Sequence, residues 1–215
     1  MPKPKVIVFD FDGVIIDSND FGLRQFIKVF PKITADDYKN LLRGNFRDGV
    51  DKLTLEKIPE TEEEKEARRA QANLEKLNVC SMFPGMVELA QELHGLGYTL
   101  AMNTSASTMS CVPMLEKCGL GECFDFMGTI EIDRSKVKKF NLMKEKYGVT
   151  GSEMVFVTDT LGDLVEAHEA DVPTLVVMWG MHDRSYFTRE THDNLVAIVD
   201  TVAELREKIL ESVKI

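Results

Sequence analysis

Cysteine, positive charge and long apolar runs are all scarce in this chain, and each shortage excludes something. The four cysteines, Cys80, Cys111, Cys118 and Cys123, have no paired CxxC spacing and are too few for a disulfide scaffold. Reduced, mostly buried thiols are expected. No apolar run approaches membrane-spanning length, and Met1-Pro2-Lys3-Pro4-Lys5 leads into a short strand and not into an apolar signal segment. A cytoplasmic protein is expected, with no membrane partner. Lys and Arg number 26 against 36 Asp and Glu, a net charge of −10, and no Lys/Arg-rich stretch is joined to aromatics. This balance argues against nucleic acid as the main partner. An anionic ligand must then be held by local positive groups or a metal. The chain has no GxSxG, no GxxxxGK[ST] and no GxGxxG, which removes the usual serine-hydrolase, P-loop and dinucleotide signatures. Its four histidines show no metal spacing, and there is no internal repeat or low-complexity tract.

What is present is a core of ample size: 44% of the 215 residues are hydrophobic, enough for one large domain or a domain with an insert. Apolar strand-like runs recur at Val6 to Phe9, Tyr98 to Met102, Phe124 to Met127, Met154 to Val157, Thr174 to Trp179 and Ala197 to Val199. Helical patterns such as Val87 to Leu93 lie between several of them, and Thr201 with Glu204 forms a capping pair opening a last amphipathic helix. Alternation of strand and helix predicts an α/β fold with a doubly wound parallel sheet covered on both faces.

One interval breaks this rhythm. From Ile15 to Phe83 no strand is expected, and helical patterns run over Phe21 to Phe30, Thr34 to Leu42, Phe46 to Ile58 and Thr61 to Leu77. This reads as a helical insert, residues 15–83, in a core made of residues 1–14 and 84–215, with Pro84-Gly85 as a hinge. The charge run Glu60 to Arg69 reads as a solvated helix whose acidic start and basic end suit the helix dipole.

The strand ends carry the chemistry. Asp10 and Asp12 follow the first run directly, where open α/β sheets place their ligand sites, and two carboxylates so close repel unless a cation or a shared proton relieves them. The next ends deliver Asn103-Thr104-Ser105 and Thr158-Asp159-Thr160-Leu161-Gly162-Asp163, while Asp133-Arg134-Ser135-Lys136-Val137-Lys138-Lys139 opens a helix. Each piece alone is a common turn, cap or solvated cluster. Together they bring an Asp-x-Asp pair, a hydroxyl, a lysine and a second acidic pair to one rim.

In these motifs, their order and their spacing, the chain resembles the haloacid dehalogenase superfamily, in its phosphatase branch with a helical cap after the first strand, across nearly all of its length. The resemblance implies a magnesium-dependent phosphatase acting on a small phosphorylated metabolite through an aspartyl-phosphate. By that reading Asp10 is the nucleophile and Asp12 the acid that protonates the leaving oxygen and then takes a proton from water. Mg2+ is held by Asp10, the Asp12 main-chain carbonyl and Asp159, with Asp163 binding directly or through water. Thr104 and Ser105 bond the transferring group, and Lys136 screens its charge.

Two positions depart from the family pattern. Thr158 stands where a glycine often precedes the aspartate, and Lys136 precedes Val137 where the family lysine often precedes proline, so Lys138 or Lys139 is an alternative to Lys136. Counting back from Tyr147-Gly148-Val149 puts Lys136 at its helix start and favours it. An acid at position 12 fits a carbon–oxygen–phosphorus substrate, because a halide leaving group needs no proton. In Leu42-Arg43-Gly44-Asn45-Phe46-Arg47, either Arg43 or Arg47 is placed to clamp an anionic leaving group or simply to cap a solvated helix end. His182 is expected in a surface loop. A sugar phosphomutase and a non-catalytic binding protein of the same fold are the competing readings, as either a monomer or a homodimer.

Overall fold

The computed structural model describes residues 5–187 and 192–211, so the reading of Met1 to Pro4 lies outside the described residues. Among the described residues eight strands are formed: β1 (Val6–Phe9), β2 (Ile16–Asp17), β3 (Ser81–Met82), β4 (Thr99–Asn103), β5 (Phe124–Gly128), β6 (Met154–Thr158), β7 (Thr174–Val177) and β8 (Leu195–Val199). Six of them make one parallel sheet in the order β5-β4-β1-β6-β7-β8. The central strand β1 is buried at all four positions, which explains its unbroken apolar sequence.

Nine α-helices accompany them among the described residues: α1 (Asn19–Val29), α2 (Ala35–Leu41), α3 (Phe46–Asp51), α4 (Glu62–Val79), α5 (Met86–Gly95), α6 (Thr108–Lys117), α7 (Lys136–Tyr147), α8 (Leu161–Glu169) and α9 (Val202–Glu211). Alternation along β1 divides the core between the two faces. Ile7 and Phe9 pack with Leu89 and Leu93 of α5, Met114 of α6 and Leu205 of α9, whereas Val6 and Val8 pack with Phe140 of α7 and Ala167 of α8. Helices on both faces leave the carboxyl ends of the strands free to form a site.

Between β1 and β4 the chain leaves the sheet. Helices α1 to α3 enclose a small core of their own, Val29, Phe30 and Ile33 with Phe26, Tyr38 and Leu41 around them. Thr61 and Glu64 make the expected capping box on α4.

Three boundaries differ from the sequence pattern. Where no strand was expected, β2 and β3 pair antiparallel, Ile16 with Met82 and Asp17 with Ser81, and clasp the chain where it leaves and rejoins the sheet. Two residues are too few to show a period of two. The helix expected over Phe46 to Ile58 stops at Asp51, because Leu53 turns back onto the α1–α2 core and Ile58 donates its amide to the Val29 carbonyl. The run Thr174 to Trp179 leaves the sheet after Val177, and the Trp179 indole N–H bonds the Val14 carbonyl at 3.2 Å.

Candidate active site

Register sets the site. Phe9 pairs with Met102 on one side and Val157 on the other, so Asp10 emerges at one rim between Asn103-Thr104 at the end of β4 and Thr158-Asp159 at the end of β6. The Asp10 amide still bonds the Val157 carbonyl at 2.9 Å, and its Oδ1 accepts the Phe11 amide at 2.7 Å. The turn then needs Gly13: its φ is +76°, and a Cβ there would lie 2.0 Å from Asp159 Oδ2.

Lys136, the first residue of α7, is buried with its ammonium 3.0 Å from Asp10 Oδ2 and 2.5 Å from Asp163 Oδ2. Thr158 explains its own presence, since its hydroxyl donates to Asp163 Oδ2 at 2.6 Å and accepts the Thr160 amide at 3.2 Å. Lys138 points away, paired with Asp133 at 3.2 Å, and Lys139 donates to the Thr104 carbonyl at 2.6 Å. Thr104 is buried; its amide bonds the Gly128 carbonyl and its hydroxyl accepts the Ala106 amide at 3.1 Å. Ser105, next to it, is half-buried.

Charge is unevenly balanced here. Burial pushes the Asp10 carboxyl well above the usual range, helped by Asp163 and Asp159 and opposed by Lys136. Burial raises Asp159 to about 7. Burial alone would raise Asp163 as well, but the Lys136 ammonium and hydrogen bonds from Asp10, Lys136 and Thr158 hold it below the ordinary value. Burial works against the Lys136 cation, yet Asp10 and Asp163 raise it. The stable arrangement is thus Lys136 paired with Asp163 and shared with Asp10, beside Asp159, which has no cation partner among the described residues.

The residues fit a bound metal in one respect. Asp159 Oδ2 accepts the Met181 amide at 2.7 Å, whereas Oδ1 is buried without any partner. Such an orphaned oxygen beside Asp10 is what a cation would satisfy. An all-oxygen set of Asp10, Asp159 and the Asp12 carbonyl suits a hard ion such as Mg2+. Among the described residues no three His, Cys, Asp or Glu side chains form a ready cage. Asp163 is turned to Lys136 and Thr158, and one of the three oxygens would come from the main chain.

Asp12 has different neighbours. Its Oδ1 accepts the Ser18 hydroxyl at 2.5 Å and lies 2.6 Å from the ammonium of Lys76, a buried residue of α4 that also bonds the Ser110 hydroxyl at 3.0 Å. Sequence reasoning missed Lys76, which looks like any lysine of a solvated helix. The other contacts of the insert with the strand ends are equally specific. Arg47 donates to the Ser105 carbonyl at 3.1 Å, while the Arg43 guanidinium lies over the Tyr186 ring. The Gly162 amide bonds the Leu42 carbonyl at 2.9 Å, and a Cβ on Gly162 would meet the Gly44 carbonyl at 2.2 Å. Asn45 reaches Glu166, whose carboxylate also accepts the Lys136 amide at 2.8 Å.

His182 is not in a surface loop. It is 1% exposed, its Nδ1 accepts the Leu161 amide at 2.9 Å, and its Nε2 lies 3.0 Å from the Lys39 carbonyl. Stacking on Tyr186 and two main-chain bonds bury it between α2 and α8. A lone histidine carries no sequence signal for such a bridge.

Comparison with known proteins agrees with this geometry. A curated relative from Dickeya dadantii, a probable phosphatase named IndB, is 29% identical over 94% of this chain and 92% of its own. The phosphoglycolate phosphatase of Synechococcus elongatus is 23% identical over 96% of this chain and 98% of its own. A haloacid dehalogenase-like family protein from Streptococcus pneumoniae superposes with a TM-score of 0.76 at 18% identity, covering 97% and 99% of the two chains, a likeness of fold. The family model for haloacid dehalogenase-like hydrolases matches residues 7–177, and with most of its length matched the chain belongs to that family.

Proposed function

We propose that the chain is a magnesium-dependent phosphomonoesterase that hydrolyses a small phosphorylated metabolite through an aspartyl-phosphate on Asp10. The observation that carries this reading is the contrast between two carboxylates one residue apart. Asp10 is buried against Lys136, whereas the Asp12 side chain is 39% exposed and held through one oxygen by Ser18 and Lys76. Pairs of acids in unlike surroundings take unlike roles. Phosphoryl transfer asks mainly for positioning and charge neutralisation, and the first carboxylate supplies an oxygen nucleophile.

Bound between Asp10, Asp159 and the Asp12 carbonyl, magnesium would neutralise phosphoryl oxygens and favour ionised Asp10. Thr104 and Ser105 receive the phosphoryl group at the end of β4, and Lys136 balances the charge on Asp10. Asp12, through its free Oδ2, gives a proton to the leaving oxygen and then takes one from the attacking water. Residues 15–83 act as a cap over the core of residues 1–14 and 84–215, excluding bulk water during the reaction. Arg47 is the cap arginine at the phosphate loop and would face the leaving group, and Arg43 supports the cap through Tyr186. Phosphoglycolate phosphatases among the relatives favour a small ester with a second anionic group.

The test is a panel of phosphorylated metabolites assayed with magnesium and with a chelator, for the wild type and for Asp10→Asn. Turnover should need the metal and vanish in the variant, whose melting temperature should not fall, since one carboxylate leaves an acidic cluster. A variant as active as the wild type would exclude the covalent route.

A further inference from the structure

One turn into α7 beyond Lys136 a second lysine is completely enclosed. Lys139 is 0% exposed, and no carboxylate among the described residues pairs with it, whereas Lys136 holds both Asp10 and Asp163. A buried cation without a counter-charge is costly, and methionine or leucine would fill the same space without that cost. Packing alone therefore does not account for the residue. Its contact is specific: the ammonium donates to the Thr104 carbonyl at 2.6 Å. Thr104 is already held through its amide by Gly128 and through its hydroxyl by Ala106, so the lysine completes the restraint of the turn that ends β4.

We propose that Lys139 is a positioning residue for the phosphoryl group, fixing the turn at Thr104 to Ala106 through the Thr104 carbonyl and finding its missing counter-charge in the phosphate that this turn receives. The inference rests on the phosphatase reading above. Burial and the Lys136 ammonium push Lys139 down to about 8, against the pull of Asp10, Asp163 and Glu166. With Asp133 from the segment before α7, those are the charged groups facing it, from its own helix, the end of β1 and α8, and Lys136 and Asp163 keep their charges in this range. Phosphate binding then favours the protonated lysine, and phosphate affinity falls as the free protein loses that proton.

Lys139→Met keeps the length and volume of the side chain and removes the charge. The experiment compares it with the wild type by inhibition of p-nitrophenyl phosphate hydrolysis by inorganic phosphate from about pH 6 to about pH 10, spanning the ordinary lysine range. Melting with and without phosphate is measured alongside. The variant should lose about tenfold or more in kcat/KM and in phosphate affinity at neutral pH, as for other groups that orient a site through a neighbour. It should also lack the alkaline limb that the wild type shows near about pH 8, and it should melt no lower than the wild type. Unchanged phosphate affinity with the limb retained would overturn the proposal, and so would a loss of activity that tracks a lower melting temperature. If the wild type hydrolyses no phosphate ester, the phosphatase reading fails by itself. The phosphate-dependent melting shift then decides the lysine: equal shifts in the two proteins overturn its role.

Discussion

Asp159→Asn tests the metal site through stability as well as activity. In the metal-stripped protein, burial raises the Asp159 carboxyl from 3.8 to about 7; the Met181 amide and Lys136 oppose the rise and Asp163 adds to it. A carboxyl with a higher pKa when folded binds its proton more tightly in the folded chain. Its stabilisation is therefore complete below the ordinary pKa and is lost as pH rises from about 3.8 through about 7. Three pKa units correspond to about 4 kcal/mol in all, of which about 1.4 kcal/mol falls between about pH 6 and about pH 8.

Asparagine removes this titration and still offers an oxygen to the Met181 amide. The stripped variant should therefore be more stable than the stripped wild type by about 2–4 kcal/mol at about pH 8, and should lose about 1.4 kcal/mol less between about pH 6 and about pH 8. Asp10 titrates in both proteins, and the difference reads Asp159 together with its coupling to Asp10. Urea denaturation at the two pH values, in chelator and then in excess magnesium, reads all of this. Magnesium should stabilise the wild type by mass action and leave the variant almost unchanged, with turnover lost. Parallel pH dependences in chelator, with the variant the less stable protein, would refute the idea that Asp159 is an uncompensated carboxylate awaiting a cation.

Asp12→Asn should slow turnover of an alkyl phosphate by about a hundredfold or more, the usual scale of general acid–base catalysis. The loss should be much smaller for p-nitrophenyl phosphate, whose leaving group needs little protonation; equal losses in steady-state kinetics would assign Asp12 to metal binding instead. Arg47→Ala should raise KM for a substrate with a second anionic group while barely changing p-nitrophenyl phosphate turnover, and Arg43→Ala should spare both. A KM increase confined to Arg43→Ala would reverse the two assignments.

Much of the site was legible in the sequence because a parallel sheet turns order along the chain into neighbourhood in space. Val6 to Phe9 is apolar at every position because both faces of β1 are covered, and its neighbours β4 and β6 deliver their next residues to the same rim. Asp10, Thr104 and Asp159 could thus be brought together without coordinates. The motif order calls for a lysine here, counting back from the helix end favours Lys136 over Lys138 and Lys139, and a helix begun at that residue carries its ammonium to Asp10.

The tertiary structure alone decided the contacts made by long side chains and by the insert. Lys76 pairs with Asp12 across 64 positions of sequence, and nothing in its local pattern separates it from Lys65, which is half-buried and pairs only with Glu62 of the same helix in the ion pairs described. Arg43 and Arg47 are equivalent in composition and differ only in where α3 starts, which sends one to Tyr186 and the other to the Ser105 carbonyl. His182 and Lys139 bond main-chain atoms, which carry no residue identity for a sequence to display. Hydrophobic periodicity reports which face an element buries, and the topology of the sheet then places strand ends. Side-chain reach, orphaned oxygens and unpaired buried charge arise only when distant segments exclude water together.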